Sequence, residues 1–150
     1  MPSAYPLFET AEHLEEACAR IYDALAERFL SEEEASKLFR RLAGEERQHA
    51  QRVRLLAARY RHDSTLFEGV DMAGTQLEGL LQAANQILSE IQGGGWETDL
   101  ARARAALVEL EGRFRAGHAE VIAALADPAL QKFFTSIAAQ DEHHRQLLLR

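Results

Sequence analysis

The feature that most constrains the fold of this chain is a carboxylate followed three residues later by a histidine, which occurs twice. Glu46 and His49 form the first pair, and Asp141 and His144 form the second. Residues three apart in a helix lie on the same side, about one turn apart, so each pair presents an oxygen and a nitrogen in one direction. A chain with 24 acidic residues and 6 histidines contains about one such pair by chance, so a single copy would be uninformative.

The surroundings of the two pairs are also repeated. A lone glutamate precedes the pairs by 31 and 30 residues, and a ring follows each lone glutamate by seven. The offsets between corresponding positions are 96, 96, 95 and 95 residues: Glu15 with Glu111, Tyr22 with His118, Glu46 with Asp141, and His49 with His144. This near-constant offset predicts a duplicated helical hairpin, in which each half gives one lone carboxylate and one carboxylate–histidine pair to a shared centre.

Hydrophobic periodicity predicts an all-α fold in one domain, residues 1–150. Apolar residues recur at helical spacing over about 8–29, 32–61, 99–126 and from 128 almost to the chain end, and the candidate ligands lie within these stripes. Two hairpins joined in sequence need a long crossover, and we expect an accessory helix in it at about 75–92. A chain of 150 residues with 47% hydrophobic content is large enough to bury its own core.

Local signals predict the ends of these helices. Ser31, with an acid three residues later, is placed as a capping box before the second helix. Thr98-Asp99 is placed to cap the third helix, and Asp127 is placed to cap the fourth. The three glycines at 93–95 are expected to end the accessory helix, because glycine readily adopts the left-handed conformation of a C-terminal cap.

On these residues the chain resembles the ferritin-like di-iron carboxylate proteins, and among them the bacterioferritin and rubrerythrin group. The resemblance covers about residues 8–148 except the crossover, and it implies an antiparallel four-helix bundle. The metal ligands it implies are Glu15, Glu46, His49, Glu111, Asp141 and His144. It also implies that Tyr22 is the tyrosine such proteins place beside the centre. His118 is either a further ligand or a core residue bonded to a ligand carboxylate.

The chain departs from the family pattern at three positions. Asp141 replaces the usual glutamate, His118 stands where a tyrosine is common, and Val108 stands where rubrerythrins have an additional glutamate. A rubredoxin-like segment is not expected either, because its iron needs four cysteines and this chain has only Cys18. Since aspartate is one methylene shorter than glutamate, we expect the second metal position to bind more weakly.

The ligand types predict the metal and the chemistry. Four carboxylates and two imidazoles suit two iron ions, with manganese possible, better than a structural zinc ion. The bridging carboxylates are either Glu46 and Asp141 or Glu15 and Glu111. The resemblance implies reaction with dioxygen or hydrogen peroxide, an electron donor and a homodimer, as in a ferroxidase or peroxidase. Iron storage and a purely structural metal are the alternatives.

Charge and hydropathy exclude two other classes of partner. The net charge of −7, without a Lys/Arg cluster, argues against a nucleic-acid surface. The N-terminal residues lack a secretory pattern, and no stretch approaches the roughly 18 apolar residues of a membrane span. We therefore expect a cytoplasmic protein with no membrane partner.

Overall fold

A computed structural model describes residues 3–63 and 65–150 as an all-α structure, as predicted. The described residues form five helices and no strand: α1 (Tyr5–Arg28), α2 (Glu33–Tyr60), α3 (Val70–Gln92), α4 (Leu100–Ala124) and α5 (Pro128–Leu149). Buried apolar side chains of all five helices belong to one continuous core. Residues 1, 2 and 64, which the predicted single domain includes, lie outside the described residues.

The molecule consists of two helical hairpins and one connecting helix. α1 packs against α2 after a turn at 29–32, and α4 packs against α5 after residues 125–127. The crossover helix α3 packs against α1 and α4. Arg28 ties the end of the crossover to α1, because its guanidinium donates to the carbonyls of Ile91 at 2.9 Å and Glu97 at 3.1 Å.

Three of the predicted helix ends are confirmed. The Asp99 carboxylate accepts a hydrogen bond from the backbone N–H of Arg102 at 3.1 Å, and the Asp127 carboxylate accepts one from Leu130 at 3.0 Å. α3 ends before the glycines, and Gly94 adopts a left-handed φ of +86°. These caps satisfy backbone groups that helix ends leave without partners.

The predicted capping box at Ser31 is wrong. α2 begins at Glu33, and its N-cap residue is Glu32. The Glu32 side chain makes no cap hydrogen bond with the described residues. The N–H of Glu32 instead donates to the Phe29 carbonyl at 2.9 Å, and this tight turn leaves Ser31 outside the helix. The serine that stabilises the hairpin is Ser36, whose hydroxyl donates to the buried Ala26 carbonyl at 2.8 Å.

The crossover helix begins five residues earlier than predicted. Val70 and Ala73 are buried and extend its apolar stripe toward the N-terminus. Gly69 precedes them with φ +85°, and a Cβ there would lie 1.8 Å from the carbonyl oxygen of Ala124. Only glycine fits this close approach between the start of α3 and the end of α4.

Candidate metal centre

The ionisable side chains predicted as ligands are all buried. Their relative exposures range from 0% for His144 to 9% for His49, and the others lie between: Glu15, Glu46, Glu111, His118 and Asp141. Each lies in a helix whose neighbouring core positions are apolar, so the helical stripe that buries the core also buries these polar groups. Ionised groups at such depth are costly unless they are paired or bind a cation.

The structure brings five of the predicted ligands into two groups. The first group contains Glu15 of α1 with Glu46 and His49 of α2. The second contains Glu46 again, with Glu111 of α4 and His144 of α5. Within each group the potential ligand atoms lie within 4.8 Å of one another. Four helices therefore converge on this centre, and the two groups share one glutamate.

Glu46 joins the groups because its two oxygens face different imidazoles. Its Oε2 lies 3.7 Å from Nδ1 of His49, and its Oε1 lies 2.8 Å from Nδ1 of His144. The outer carboxylates complete the groups: Glu15 Oε2 is 3.8 Å from Nδ1 of His49, and Glu111 Oε1 is 3.6 Å from Nδ1 of His144. The two imidazole rings stack with centroids 5.7 Å apart. Both histidines thus turn the same nitrogen toward Glu46.

Several atoms of the centre are buried without a hydrogen-bond partner. Among the described residues, none pairs with Oε2 of Glu46, Oε2 of Glu111 or either nitrogen of His144. The 2.8 Å contact between His144 and Glu46 is close enough for charge attraction but is not aligned as a hydrogen bond. Buried polar atoms of native proteins nearly always have partners. The unpaired carboxylate oxygens and one nitrogen of His144 therefore fit bound cations.

The two carboxyl groups of the first group, Glu15 and Glu46, have pKa values shifted in opposite directions. Burial, assisted by the charge of Glu46, raises the pKa of Glu15 to about 8. Burial acts in the same direction on Glu46, but its interactions with Glu15, His144 and His49 outweigh burial and lower the pKa of Glu46. One proton is therefore held on Glu15 at neutral pH while Glu46 remains ionised.

Both imidazoles of the centre hold protons in the absence of a metal. Burial opposes their charge, but Glu15 and Glu46 raise the pKa of His49 to about 9, and Glu111 and Glu46 raise the pKa of His144 to about 11. A metal binds the neutral imidazole and the ionised carboxylate, so it must displace these protons. Protons and metal ions therefore compete for the same atoms.

Tyr22 contacts the opposite hairpin. Its hydroxyl donates to Oε1 of Glu111 at 2.5 Å, although Tyr22 belongs to the same half of the sequence repeat as Glu15. Burial and the charge of Glu111 raise the pKa of Tyr22, so the phenol keeps its proton and remains a donor. Tyr22 orients one carboxylate of the second group. Cys18, one turn before it, is a buried thiol whose pKa is also raised by burial.

Asp141 and His118 lie in the core but outside both groups. Oδ2 of Asp141 is 2.6 Å from Nδ1 of His118, so these two predicted candidates bond to each other. Burial raises the pKa of Asp141 and lowers that of His118, which favours a pair of uncharged partners. The carboxylate that His118 bonds is therefore Asp141, which belongs to neither group, and the two predicted roles of His118 stay predictions.

A small cavity at the α2–α5 interface reaches the edge of His49. Its volume is about 30 Å³, enough for one water molecule by the usual measure. The sequence did not identify the residues around this opening, because none lies in a repeated motif: Arg52, Val53, Phe133, Ser136, Ile137 and Gln140. The His49 side chain, which is 10% exposed, lies where the centre comes nearest to solvent.

Comparisons with known proteins identify no relative of this chain. Models of protein families, curated protein sequences and solved structures give no match to this chain. The resemblance to ferritin-like proteins therefore stays a prediction from the repeated spacing. Separately, no helix within residues 3–63 and 65–150 combines the length and apolar character needed to cross a membrane.

Proposed function

We propose that this chain is a ferritin-like di-metal carboxylate protein that binds two iron ions, or two manganese ions, and reacts with dioxygen or hydrogen peroxide. The observation that carries the proposal is the shared Glu46. One buried glutamate faces two imidazoles, each of which has its own outer carboxylate. Shared carboxylates are the usual way in which helical bundles hold two adjacent metal ions.

The two positions would be held by equivalent ligands. Glu15, Glu46 and His49 would hold one ion, and Glu46, Glu111 and His144 would hold the other. Three carboxylates and two imidazoles suit iron or manganese better than a thiolate-preferring metal. Bound ferrous ions would supply electrons to dioxygen or peroxide and become ferric.

The side chains around the centre would orient a ligand, exclude water and hold a proton. Tyr22 holds Glu111 through a buried hydrogen bond, which fixes the direction of one ligand. Phe39, Leu42 and Phe134 are 0% exposed and keep bulk water from the core. Glu15 holds a proton near neutral pH, so its carboxyl group can release that proton when the centre is loaded.

A metal that only stabilises the bundle is the second candidate. The low exposure of the ligands favours it, because a reactive centre must admit an oxidant and the cavity beside His49 is narrow. In that case ferrous protein would bind its ions without reacting. Iron storage is a third possibility and has no specific support in the geometry of the described residues.

Rapid mixing of the loaded protein with oxidant separates the candidates. The protein is purified without added metal, analysed for metal content, loaded with two ferrous ions under anaerobic conditions and mixed with dioxygen or peroxide in a stopped-flow spectrometer. We expect near-ultraviolet absorbance of a ferric carboxylate centre to rise within the first turnover. Glu46→Gln is the control and should not produce the signal. Unchanged absorbance in the fully loaded wild-type protein would favour the structural role.

A further inference from the structure

We infer that His118 is a positioning residue that keeps Asp141 out of the metal centre, so that the protein binds its ions with three carboxylates instead of four. The inference rests on the proposed function, because it concerns which residues bind the metal. It starts from the placement of Asp141, which has the sequence spacing of a ligand but not the environment of one.

The two carboxylate–histidine pairs differ in what their acids contact. Glu46 and His49 belong to the same group of ligand atoms. In the equivalent pair, His144 belongs to a group, whereas Asp141 lies outside both groups and bonds His118 at 2.6 Å. The same helical spacing therefore places one acid in the centre and the other beside it.

His118 is held where it can retain this aspartate. Its ring stacks on Phe134 with centroids 6.3 Å apart and planes 24° apart. Phe134 and Asp141 both belong to α5, so His118 of α4 packs between two residues of one helix. The side chains of His118 and Asp141 are 2% and 7% exposed, so water hardly competes with their hydrogen bond.

Moving Asp141 into the centre would break that bond inside the core. His118 would then lose its hydrogen bond to Asp141 at a buried position, which is unfavourable. Aspartate is also one methylene shorter than glutamate and reaches less far from its helix. These two effects act together, so the hydrogen bond to His118 persists when metal binds to the three glutamates.

Conservative substitutions test whether Asp141 is a ligand. Asp141→Asn keeps the volume and can keep a hydrogen bond to His118, whereas Glu111→Gln makes the same chemical change at an assigned ligand. Manganous ion is titrated into each variant by calorimetry. We expect Asp141→Asn to bind two ions with dissociation constants within about threefold of the wild type, and Glu111→Gln to lose at least about tenfold at one position.

Substitutions of His118 test its positioning role. His118→Phe removes the hydrogen bond and should free Asp141, so we expect manganese affinity at the second position to rise by about tenfold. His118→Gln keeps a hydrogen-bonding group and should restore affinity close to the wild type. A merely structural role would change thermal stability in the two variants without this separation in affinity. Unchanged manganese affinity in folded His118→Phe would overturn the positioning role. If His118→Phe does not fold, a manganese-loaded crystal structure of the wild type decides, because Asp141 should remain bonded to His118.

The outcomes distinguish the inference from the proposed function. If Asp141→Asn weakens manganese binding as much as Glu111→Gln does, Asp141 is a ligand and the inference is overturned while the metal centre stands. If Glu46→Gln and Glu111→Gln both leave binding unchanged, the proposed centre itself is wrong. A manganese-loaded crystal structure with Asp141 still bonded to His118 would support the inference directly.

Discussion

The hairpins α1–α2 and α4–α5 contain corresponding residues but use them differently. The first hairpin supplies a complete group by itself, namely Glu15, Glu46 and His49. The second supplies Glu111 and His144 and borrows Glu46 from the first. The repeated sequence pattern therefore gives two unequal hairpins. The first contains every residue of its group, whereas the second supplies only one carboxylate to its group and uses Glu46.

The ring residues explain part of this difference. Tyr22 of the first hairpin reaches across the core to Glu111, whereas His118 stays within its own hairpin and bonds Asp141. A phenol hydroxyl lies farther from its backbone than an imidazole nitrogen does, so the tyrosine can cross where the histidine cannot. The second hairpin thus has a shorter ring, His118 in place of a tyrosine, and a shorter acid, Asp141 in place of a glutamate. These two residues bond to each other.

The comparison also changes the reason for expecting unequal metal positions. From the sequence, the short Asp141 was expected to weaken the second position. In the structure each of the two groups has two carboxylates and one imidazole, and Asp141 belongs to neither group. Unequal affinity of the two positions stays a prediction, but its expected cause is now the surroundings of the ligands. Tyr22 bonds Glu111 in the second group, and a cavity lies beside His49 in the first.

Glu46→Gln should have the largest effect, because it removes the carboxylate that both positions share. We expect manganese binding at both positions to weaken by about a hundredfold or more, since each loses a charged ligand. Calorimetric titration gives both dissociation constants. Glu45→Gln is the matched control one residue away, where the side chain is partly exposed and pairs with Arg41. Retention of either high-affinity position in Glu46→Gln would contradict the sharing of this residue.

Glu15→Gln and Glu111→Gln should each weaken metal binding at one of the two positions. Glu15 lies only in the first group and Glu111 only in the second, so each variant should bind one ion tightly instead of two. Anomalous diffraction at partial manganese loading identifies the position that remains occupied. If Glu15→Gln emptied both positions equally, the second group could not be independent of the first outer carboxylate.

The metal-free protein should lose stability as pH rises from about 5 to above 9. The pKa of Glu15 is raised from 4.5 to about 8, so the native state retains a proton that the unfolded chain has released, and unfolding becomes easier across that window. The pKa values of His49, about 9, and His144, about 11, are raised from 6.5, so the stability they contribute below that value is lost at higher pH.

Urea unfolding of the metal-free protein at several pH values measures this trend. Glu15→Gln should reduce the slope between about pH 5 and 8 and should also reduce the contribution of His49, whose pKa Glu15 helps to raise. The contribution of His144, whose pKa is raised by Glu111 and Glu46, should remain. Manganese should reverse the trend, because its binding releases protons and strengthens with pH. At a hundred times the dissociation constant, each position should add about 2.7 kcal/mol. A metal-free stability that rises between pH 6 and 9 would contradict these protonation states.

Tyr22→Phe should have the smallest effect and should act on one half only. The substitution removes the hydroxyl that donates to Glu111 while keeping the ring in the core, so the free energy of unfolding should fall by about 1 kcal/mol. Manganese affinity should fall by about tenfold at the second position and remain unchanged at the first. Equal losses at both positions would show that Tyr22 supports the centre as a whole, not Glu111.

Sequence alone determined the features that repeat within a helix. A period of 3.6 residues places Phe8, Ala11, Glu15 and Tyr22 on one buried face, whatever the rest of the chain does. The side chains of Asp99 and Asp127 accept hydrogen bonds from backbone N–H groups three residues later, so these caps were also readable from the sequence. Fold class, approximate helix positions and burial of the candidate ligands follow from such local periodicities, whereas the start of α3 and the cap of α2 did not.

Only the tertiary structure decided which of those side chains meet. The partner of Tyr22 is 89 residues away, and the partner of Asp141 is His118, 23 residues away on another helix. Periodicity gives the face of a helix on which a residue lies, but not the rotation and depth of that helix against its neighbours. Glu46 became the shared carboxylate because four helices bring its two oxygens between two imidazoles, a distance relation that no spacing within a single helix contains.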